Sequence, residues 1–275
     1  MSGLRQEFVQ RSITAICLSA VVVALVLFSS NLILNTFVFL LSLALFFEWM
    51  RVSKASRKKK IIFLLLFSFL IFCILGFGAL LEPIPIITML GITVWIVIAF
   101  QIFFREGRLS SSFSFTNFWI GLILISTFCL TCFQFVNGSR LFLLIAIFNV
   151  AIFDSGAYII GKNFGKNSFL PELSPNKTIE GLIGGLASSI VFVTLLCVLI
   201  EEVSLKASIA LILSIPFALC GDYFFSFLKR KANIKDTGSI LPGHGGLLDR
   251  VDSHLAGIPM TAFFSHLLYM LGSYF

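Results

Sequence analysis

Charged residues are scarce in this chain of 275 residues, since Asp, Glu, Lys and Arg make up only 12% of the sequence. Hydrophobic residues contribute 58%, and the mean hydropathy is +1.04. No long polar linker and no repeat of fixed period is visible. These features exclude a soluble globular protein and a repeat array, and they indicate a single membrane domain over residues 1–275.

Cysteine gives no sign of a metal or redox centre. All six cysteines lie inside apolar runs, where a thiol usually behaves as a small hydrophobic group. Cys129 and Cys132 have C-x-x-C spacing, but they lack polar neighbours and a second pair of ligands. We therefore interpret them as packing residues and not as zinc ligands or a redox pair.

Long apolar runs predict an all-α, polytopic integral membrane protein with about nine transmembrane helices and a cytoplasmic N-terminus. The first run follows Arg5 and Arg11, as in a signal peptide, but a second run comes at once, so we expect the first to be retained. The predicted spans lie near residues 13–30, 32–47, 61–80, 84–104, 117–135, 140–160, 181–200, 206–225 and 255–275.

The positions of the cations explain the formal net charge of +7. With nine spans, all of the 20 Lys and Arg residues except Arg140 and Lys206 fall on the cytoplasmic side. This asymmetry is typical of membrane topology, so we expect no nucleic-acid partner. The cationic run at 51–60 would contact anionic lipid headgroups. We interpret Glu48 and Trp49, just before it, as an interfacial anchor, with the edge of a cavity as the alternative.

Asp154 and Asp222 lie near the predicted cytoplasmic ends of helices. A carboxylate in the middle of a span costs about 2.5–3.5 kcal/mol on insertion scales, so it normally faces a polar cavity. The alternative is a helix-end residue that is already in water. We favour a functional site for both, because further apolar residues follow Asp222 and a polar segment follows Asp154.

The polar segment after Asp154 contains Ser174 followed by Pro175. This pair is typical of an N-cap and the first position of a helix, with Lys177 then in the first turn. The amide groups at the start of a helix bind anions such as phosphate. The sequence therefore predicts an anion site at Ser174, although such helix starts are common.

The stretch from Ser226 to Asp252 concentrates cations, acids and glycines in an otherwise apolar chain. Glycines on both sides of His244 allow the backbone to approach an anion closely. Carboxylates beside cations fit Mg²⁺ bound to a polyphosphate, because Mg²⁺ takes oxygen ligands from one or two carboxylates and from phosphates. His244 itself fits a phosphate donor or a packed loop residue, and less well a general base.

This stretch resembles the defining motif of the phosphatidate cytidylyltransferases, also called CDP-diacylglycerol synthases. The matching positions are Ser226, Lys229, Arg230, Lys235, Asp236, Gly238, Pro242, His244, Gly245, Gly246, Asp249, Arg250 and Asp252. The segment from Asp154 to Gly181 also resembles the family. It departs at Asn176, where a second basic residue is common, and at Ile179, where an aromatic residue is common.

The resemblance implies that a phosphate oxygen of phosphatidic acid attacks the α-phosphorus of CTP, giving CDP-diacylglycerol and pyrophosphate. It implies Mg²⁺ held by Asp222 and Asp249, with a monovalent cation as a further option. The implied catalytic and phosphate-binding positions are Asp222, Asp249, Lys229, Arg230, Lys235, His244 and Arg250. The implied substrate-binding positions are Asp154, Lys166, Ser174, Lys177, Thr178, Ser226, Asp236, Gly245, Gly246 and Asp252.

We further expect a homodimer in the bacterial cytoplasmic membrane, surrounded by membrane lipids, with the site facing the cytoplasm. Residues 141–275 would carry the active site, and residues 1–140 would form an N-terminal helical half. Three alternatives remain open from the sequence: a cytidylyltransferase for another lipid phosphate, a CTP-dependent lipid kinase, and an ion-coupled transporter. The transporter is the weakest, because it gives no reason for a cationic, glycine-flanked loop.

Overall fold

A computed structural model describes most of the chain. The described residues are 19–53, 56, 58, 61–62, 64–69, 84–104, 118–171, 174–200, 203–238 and 245–271. The helices are α1 (Ser19–Phe28), α2 (Asn31–Val52), α3 (Ile84–Phe104), α4 (Phe118–Gly138), α5 (Arg140–Phe164), α6 (Ile179–Leu199), α7 (Leu205–Ala232) and α8 (Leu248–Leu271). The strands are β1 (Ser168–Leu170) and β2 (Ser174–Thr178).

The helical membrane architecture is confirmed. Among the described residues, six helices, α2 to α7, are long and apolar enough to cross a membrane. The predicted span near 61–80 falls largely outside the described residues, as do Arg5, Arg11 and the first residues of the span near 13–30, whose remainder contains α1. The last helix, α8, begins at Leu248, ahead of the predicted start near 255. Its first turn is polar, so hydropathy alone places the start too late.

An aromatic cluster joins the N-terminal helices to α7. Trp49 of α2 packs against Phe224 and Phe225, with ring centroids 6.3 and 6.0 Å apart. Trp95 of α3 packs edge-on against Phe224 at 5.8 Å. Trp49 is 1% exposed, so its interpretation as an interfacial anchor is wrong. The ring is large enough to fill the space between α2 and α7, and it belongs to the core.

A buried polar contact joins α5, α6 and α7. Asn149 on α5 donates to the backbone oxygen of Leu211 on α7 at 3.0 Å. Ser189 on α6 donates to the side-chain oxygen of Asn149 at 2.7 Å. Hydrogen bonds between helices stabilise packing where lipid offers no alternative partner. These contacts hold α5, α6 and α7 together, and α5 and α7 carry Asp154 and Asp222.

The segment after α5 is an antiparallel hairpin and not a helix start. β1 pairs with β2, with Ser168 opposite Thr178 and Leu170 opposite Ser174. The predicted start of a helix at Ser174 and Pro175 is therefore wrong. Helix α6 begins at Ile179, because the Thr178 side chain provides the N-cap and accepts from the amide of Gly181 at 3.1 Å. Proline is tolerated in β2 because a two-stranded ribbon leaves outer positions that need no donor.

Helices α7 and α8 form the most extensive helix pair, and their facing sides carry the acids of interest. A side-chain carbon added at Gly221 would collide with the backbone oxygen of Asp252, so the two backbones are in direct contact there. α7 ends at Asn233 in the left-handed conformation, with φ 57°. Its last turn carries Lys229, Arg230 and Lys231, which suit the negative end of the helix dipole.

Candidate active site

Asp222 lies on α7 and forms an ion pair with Lys177 of strand β2. The Lys177 and Asp222 side chains are 27% and 30% exposed, although the ammonium nitrogen of Lys177 itself is buried. The ammonium group of Lys177 also lies 4.3 Å from the centre of the Tyr223 ring. The hairpin thus places Lys177 next to Asp222 of α7.

Two further acids face Asp222. Asp154 on α5 accepts a hydrogen bond from Ser253 of α8, and it interacts electrostatically with Asp222 and Lys177. Asp252 on α8 interacts with both Asp222 and Asp154. Three of the acids implied by the resemblance therefore meet where α5, α7 and α8 come together. Lys177 is the cation that pairs with one of them.

Asp249, in the first turn of α8, has more partners than Asp222. Its Oδ1 accepts from Lys229 Nζ at 2.8 Å. Its Oδ2 accepts from the Thr237 amide at 2.8 Å, and from the Thr237 hydroxyl and the Gly246 amide, both at 3.0 Å. The Asp249 side chain is only 7% exposed.

The surroundings of Asp249 keep it ionised. Burial by itself would raise the pKa of this carboxyl group, but the bonds from Lys229, Thr237 and Gly246 outweigh burial and lower the pKa below the usual 3.8. Gly246 was predicted to approach a substrate anion, yet its amide already donates to Asp249. Gly245, with φ at +79°, occupies a conformation that favours glycine and directs this turn.

Glu48 also lies in a different environment from the predicted one. It is fully buried on α2 and accepts from the Thr237 hydroxyl at 3.0 Å. It also accepts from the amides of Leu247 and Leu248 at 3.0 and 2.8 Å. The interpretation of Glu48 as an interfacial anchor is wrong, because its carboxylate is buried and accepts hydrogen bonds at the start of α8. The signal was weak but present, since an acid at the end of an apolar run is costly without a partner.

The comparisons with known proteins give a consistent family. A model described as the cytidylyltransferase family matches residues 9–268. The chain belongs to the cytidylyltransferase family. The phosphatidate cytidylyltransferase of Bacillus subtilis (strain 168) is 43% identical over 113 residues, which are 40% of this chain and 42% of the relative. That of Staphylococcus haemolyticus (strain JCSC1435) is 43% identical over 122 residues, 43% of this chain and 46% of the relative. The chain thus matches less than half the length of these curated relatives.

Of the remaining predicted positions of this cytidylyltransferase, Lys229 and Ser226 lie close to the two aspartates. Lys229 is partly buried against Asp249, and Ser226 lies on the same helix, one turn closer to Asp222. Lys166 has an exposed side chain, while its amide donates to Glu180 at 3.0 Å. The other exposed positions of the set are Arg230, Lys235, Asp236 and Arg250. His244 lies outside the described residues, and its role stays a prediction.

The carboxylates of Asp222 and Asp249 are the groups that would hold a divalent cation. Asp222 pairs with Lys177 through Oδ2, and no described residue donates to its Oδ1. Asp249 Oδ1 accepts only from Lys229 among the described residues, and a carboxylate oxygen has two lone pairs. Hard oxygen donors of this kind fit Mg²⁺. The described residues hold no group of three or more His, Cys, Asp or Glu with metal-site geometry, so phosphate oxygens and water would complete the shell.

Proposed function

We propose that this cytidylyltransferase joins CTP to phosphatidic acid, giving CDP-diacylglycerol and pyrophosphate. The observation that carries the proposal is the presence of two Lys–Asp pairs: Asp222 of α7 pairs with Lys177 of β2, and Asp249 of α8 pairs with Lys229 of α7. Acids and cations gathered in an otherwise apolar membrane chain are typical of sites for charged ligands. The names of the curated relatives support the same substrates.

In the proposed reaction a phosphate oxygen of phosphatidic acid forms a bond to the α-phosphorus of CTP. The bond from that phosphorus to the bridging oxygen breaks, and the electron pair leaves with pyrophosphate. The nucleophile is already an anion, so no strong base is required. The protein must therefore bring two anions together and stabilise the leaving group.

The two ion pairs supply this charge compensation. A triphosphate entering beside Lys177 and Lys229 would compete with Asp222 and Asp249 for the ammonium groups. A carboxylate released in this way has an oxygen available to bind a cation, so substrate and Mg²⁺ would bind together. Bound Mg²⁺ would neutralise phosphate charge and act as a Lewis acid at Asp222 and Asp249. Arg230, Lys235 and Arg250, exposed at the same end of α7 and α8, would contact the outer phosphates.

An assay with labelled CTP tests the proposed reaction. Purified protein, phosphatidic acid and Mg²⁺ should yield a lipid that carries the label of the CTP α-phosphate, together with unlabelled pyrophosphate from that CTP. A lipid that instead acquires the γ-phosphate label would identify a CTP-dependent kinase and contradict the proposal. Ion flux into vesicles without CTP turnover would identify a transporter and contradict it as well.

We also propose a homodimer in the bacterial cytoplasmic membrane, with the site facing the cytoplasm, where CTP is available. Helix α6 supports an interface with lipid or a second copy, since Ile183, Val191, Leu195 and Val198 are exposed along it. Cysteine cross-linking at Val191 in native membranes should give a covalent dimer. Equal cross-linking at Leu40 of α2, which is also exposed, would indicate random collision.

A further inference from the structure

Glu48 is a buried carboxylate outside the motifs that the family resemblance covers. It is 0% exposed, and neither of the two salt bridges among the described residues includes it. A buried charge is strongly unfavourable unless hydrogen bonds or counter-charges compensate it. The compensation for Glu48 must therefore come from the groups around it.

The start of α8 provides that compensation. Leu247 and Leu248 donate their amides to Glu48 at 3.0 and 2.8 Å. The amides at a helix start lack partners within the helix and carry a partial positive charge. A side chain close in sequence usually fills this role, whereas Glu48 lies about 200 positions earlier in the chain. The contact therefore fixes where α8 begins relative to α2.

Thr237 connects Glu48 to Asp249. Its hydroxyl lies 3.0 Å from Glu48 Oε2 and 3.0 Å from Asp249 Oδ2, and its amide donates to the same Asp249 oxygen at 2.8 Å. A hydroxyl proton bonds fully to one acceptor at a time, so the two carboxylates share one donor. Side-chain carbons added at Gly238 or Gly246 would collide with the Glu48 carboxylate, so both glycines pack directly on it.

We propose that Glu48 is a positioning residue for Asp249: through Thr237 and the start of α8 it fixes the carboxylate that faces Lys229. Glu48 acts on the reaction through Asp249 and touches no substrate. The inference rests on the proposed function as far as turnover is concerned. Its structural part, the set of bonds from Glu48 of α2 to Thr237 and to the start of α8, does not depend on the reaction.

Glu48→Gln tests the link, because the amide keeps the size of the side chain but replaces one acceptor oxygen by a donor that faces backbone N–H groups. In metal-free protein, hydrogen exchange at residues 245–248 should become faster, while exchange in α5 stays unchanged. In the assay, kcat should fall about 10- to 100-fold, the range usual for residues behind metal ligands. The KM for phosphatidic acid should change little.

Ser42→Ala is the matched control. Ser42 is also fully buried on α2, but its hydroxyl bonds to Val38 of the same helix and to Cys129 of α4 instead of to the start of α8. This variant should keep wild-type exchange at 245–248 and wild-type kcat. Equal effects of Ser42→Ala and Glu48→Gln would mean that any disturbance of α2 suffices, and would overturn a specific role for Glu48.

Thr237→Val provides a test that does not require Glu48 to change. It removes the shared hydroxyl, keeps the amide bond to Asp249, and leaves the bonds from Leu247 and Leu248 to Glu48. We expect about a 10-fold loss of kcat. The double variant Glu48→Gln/Thr237→Val should lose far less than the product of the two single losses, because both act on one path.

The outcomes separate this inference from the proposed reaction. Unchanged exchange at 245–248 in Glu48→Gln, unchanged kcat in Thr237→Val, or multiplicative losses in the double variant would each overturn it. If the wild-type protein made no CDP-diacylglycerol but Glu48→Gln still accelerated exchange at 245–248, the proposed function would fail and the α2 link would stand.

Discussion

Asp222 and Asp249 lie on the paired helices α7 and α8, but their surroundings differ. Asp222 is 30% exposed and pairs with Lys177, a lysine carried by a short hairpin. Asp249 is 7% exposed and accepts four hydrogen bonds, three of them from the loop that precedes α8. Asp222 is held by one lysine, whereas Asp249 is held by a lysine and also by the loop that precedes α8. The first is suited to respond to substrate, and the second to define where it binds.

The largest effect is expected for Asp249→Asn. Loss of the charge would lower kcat by about 1,000-fold, in line with the several kcal/mol that metal ligation supplies. It would also lower the free energy of unfolding by about 2 kcal/mol, because the amide loses the charge and one of the two acceptor oxygens that bind Lys229 and the loop amides. The labelled-CTP assay and thermal unfolding in detergent measure the two effects. A variant with wild-type stability would show that the loop does not depend on this carboxylate.

Asp222→Asn should separate activity from stability. We expect about a 100-fold loss of kcat. The melting temperature should stay close to that of wild type, because the pair with Lys177 is partly exposed, at 27% and 30%, and contributes less to folding than a buried pair. A clear drop in melting temperature would erase the contrast between the two acids. Full activity at limiting Mg²⁺ would exclude Asp222 as a metal ligand.

Lys177→Met removes the lysine that pairs with Asp222. The KM for CTP should rise about tenfold, equivalent to about 1.4 kcal/mol of binding, with a smaller change in kcat. Lys206→Met is the control, since Lys206 also lies against a tyrosine ring, that of Tyr269 at 6.0 Å, but at the other end of α7. Steady-state kinetics should show no change for it. A similar rise in both variants would indicate a general effect of net charge.

The smallest effect concerns pH. The pKa of Asp249 is lowered in the folded protein, so its contribution to stability is complete above the usual value of 3.8 and is lost as the pH falls through the lower, folded value. The difference in melting temperature between wild type and Asp249→Asn should therefore shrink as the pH falls from 6 toward 3. The difference for Thr178→Ala, which removes the α6 N-cap and no titrating group, should stay constant.

The membrane spans could be predicted from the sequence because lipid imposes a length and an apolar composition on each of them. The acids on α7 and α8 were recognised because their motif is local. The hairpin at 168–178 was missed, since Ser174 and Pro175 suit a helix start equally well and only the pairing with β1 decides. Glu48 was missed because its partners lie 189 to 200 positions away, and no local pattern encodes such a contact.

The bond between Glu48 and the start of α8 also has a consequence for biogenesis. α2 enters the bilayer early in translation, whereas Thr237, Leu247 and Leu248 leave the ribosome about 190 to 200 residues later. During that interval the Glu48 side chain lacks the donors that it has in the folded protein. The bonds from Thr237, Leu247 and Leu248 to Glu48 therefore form late. A fragment that begins after α2 would insert its helices without forming these bonds.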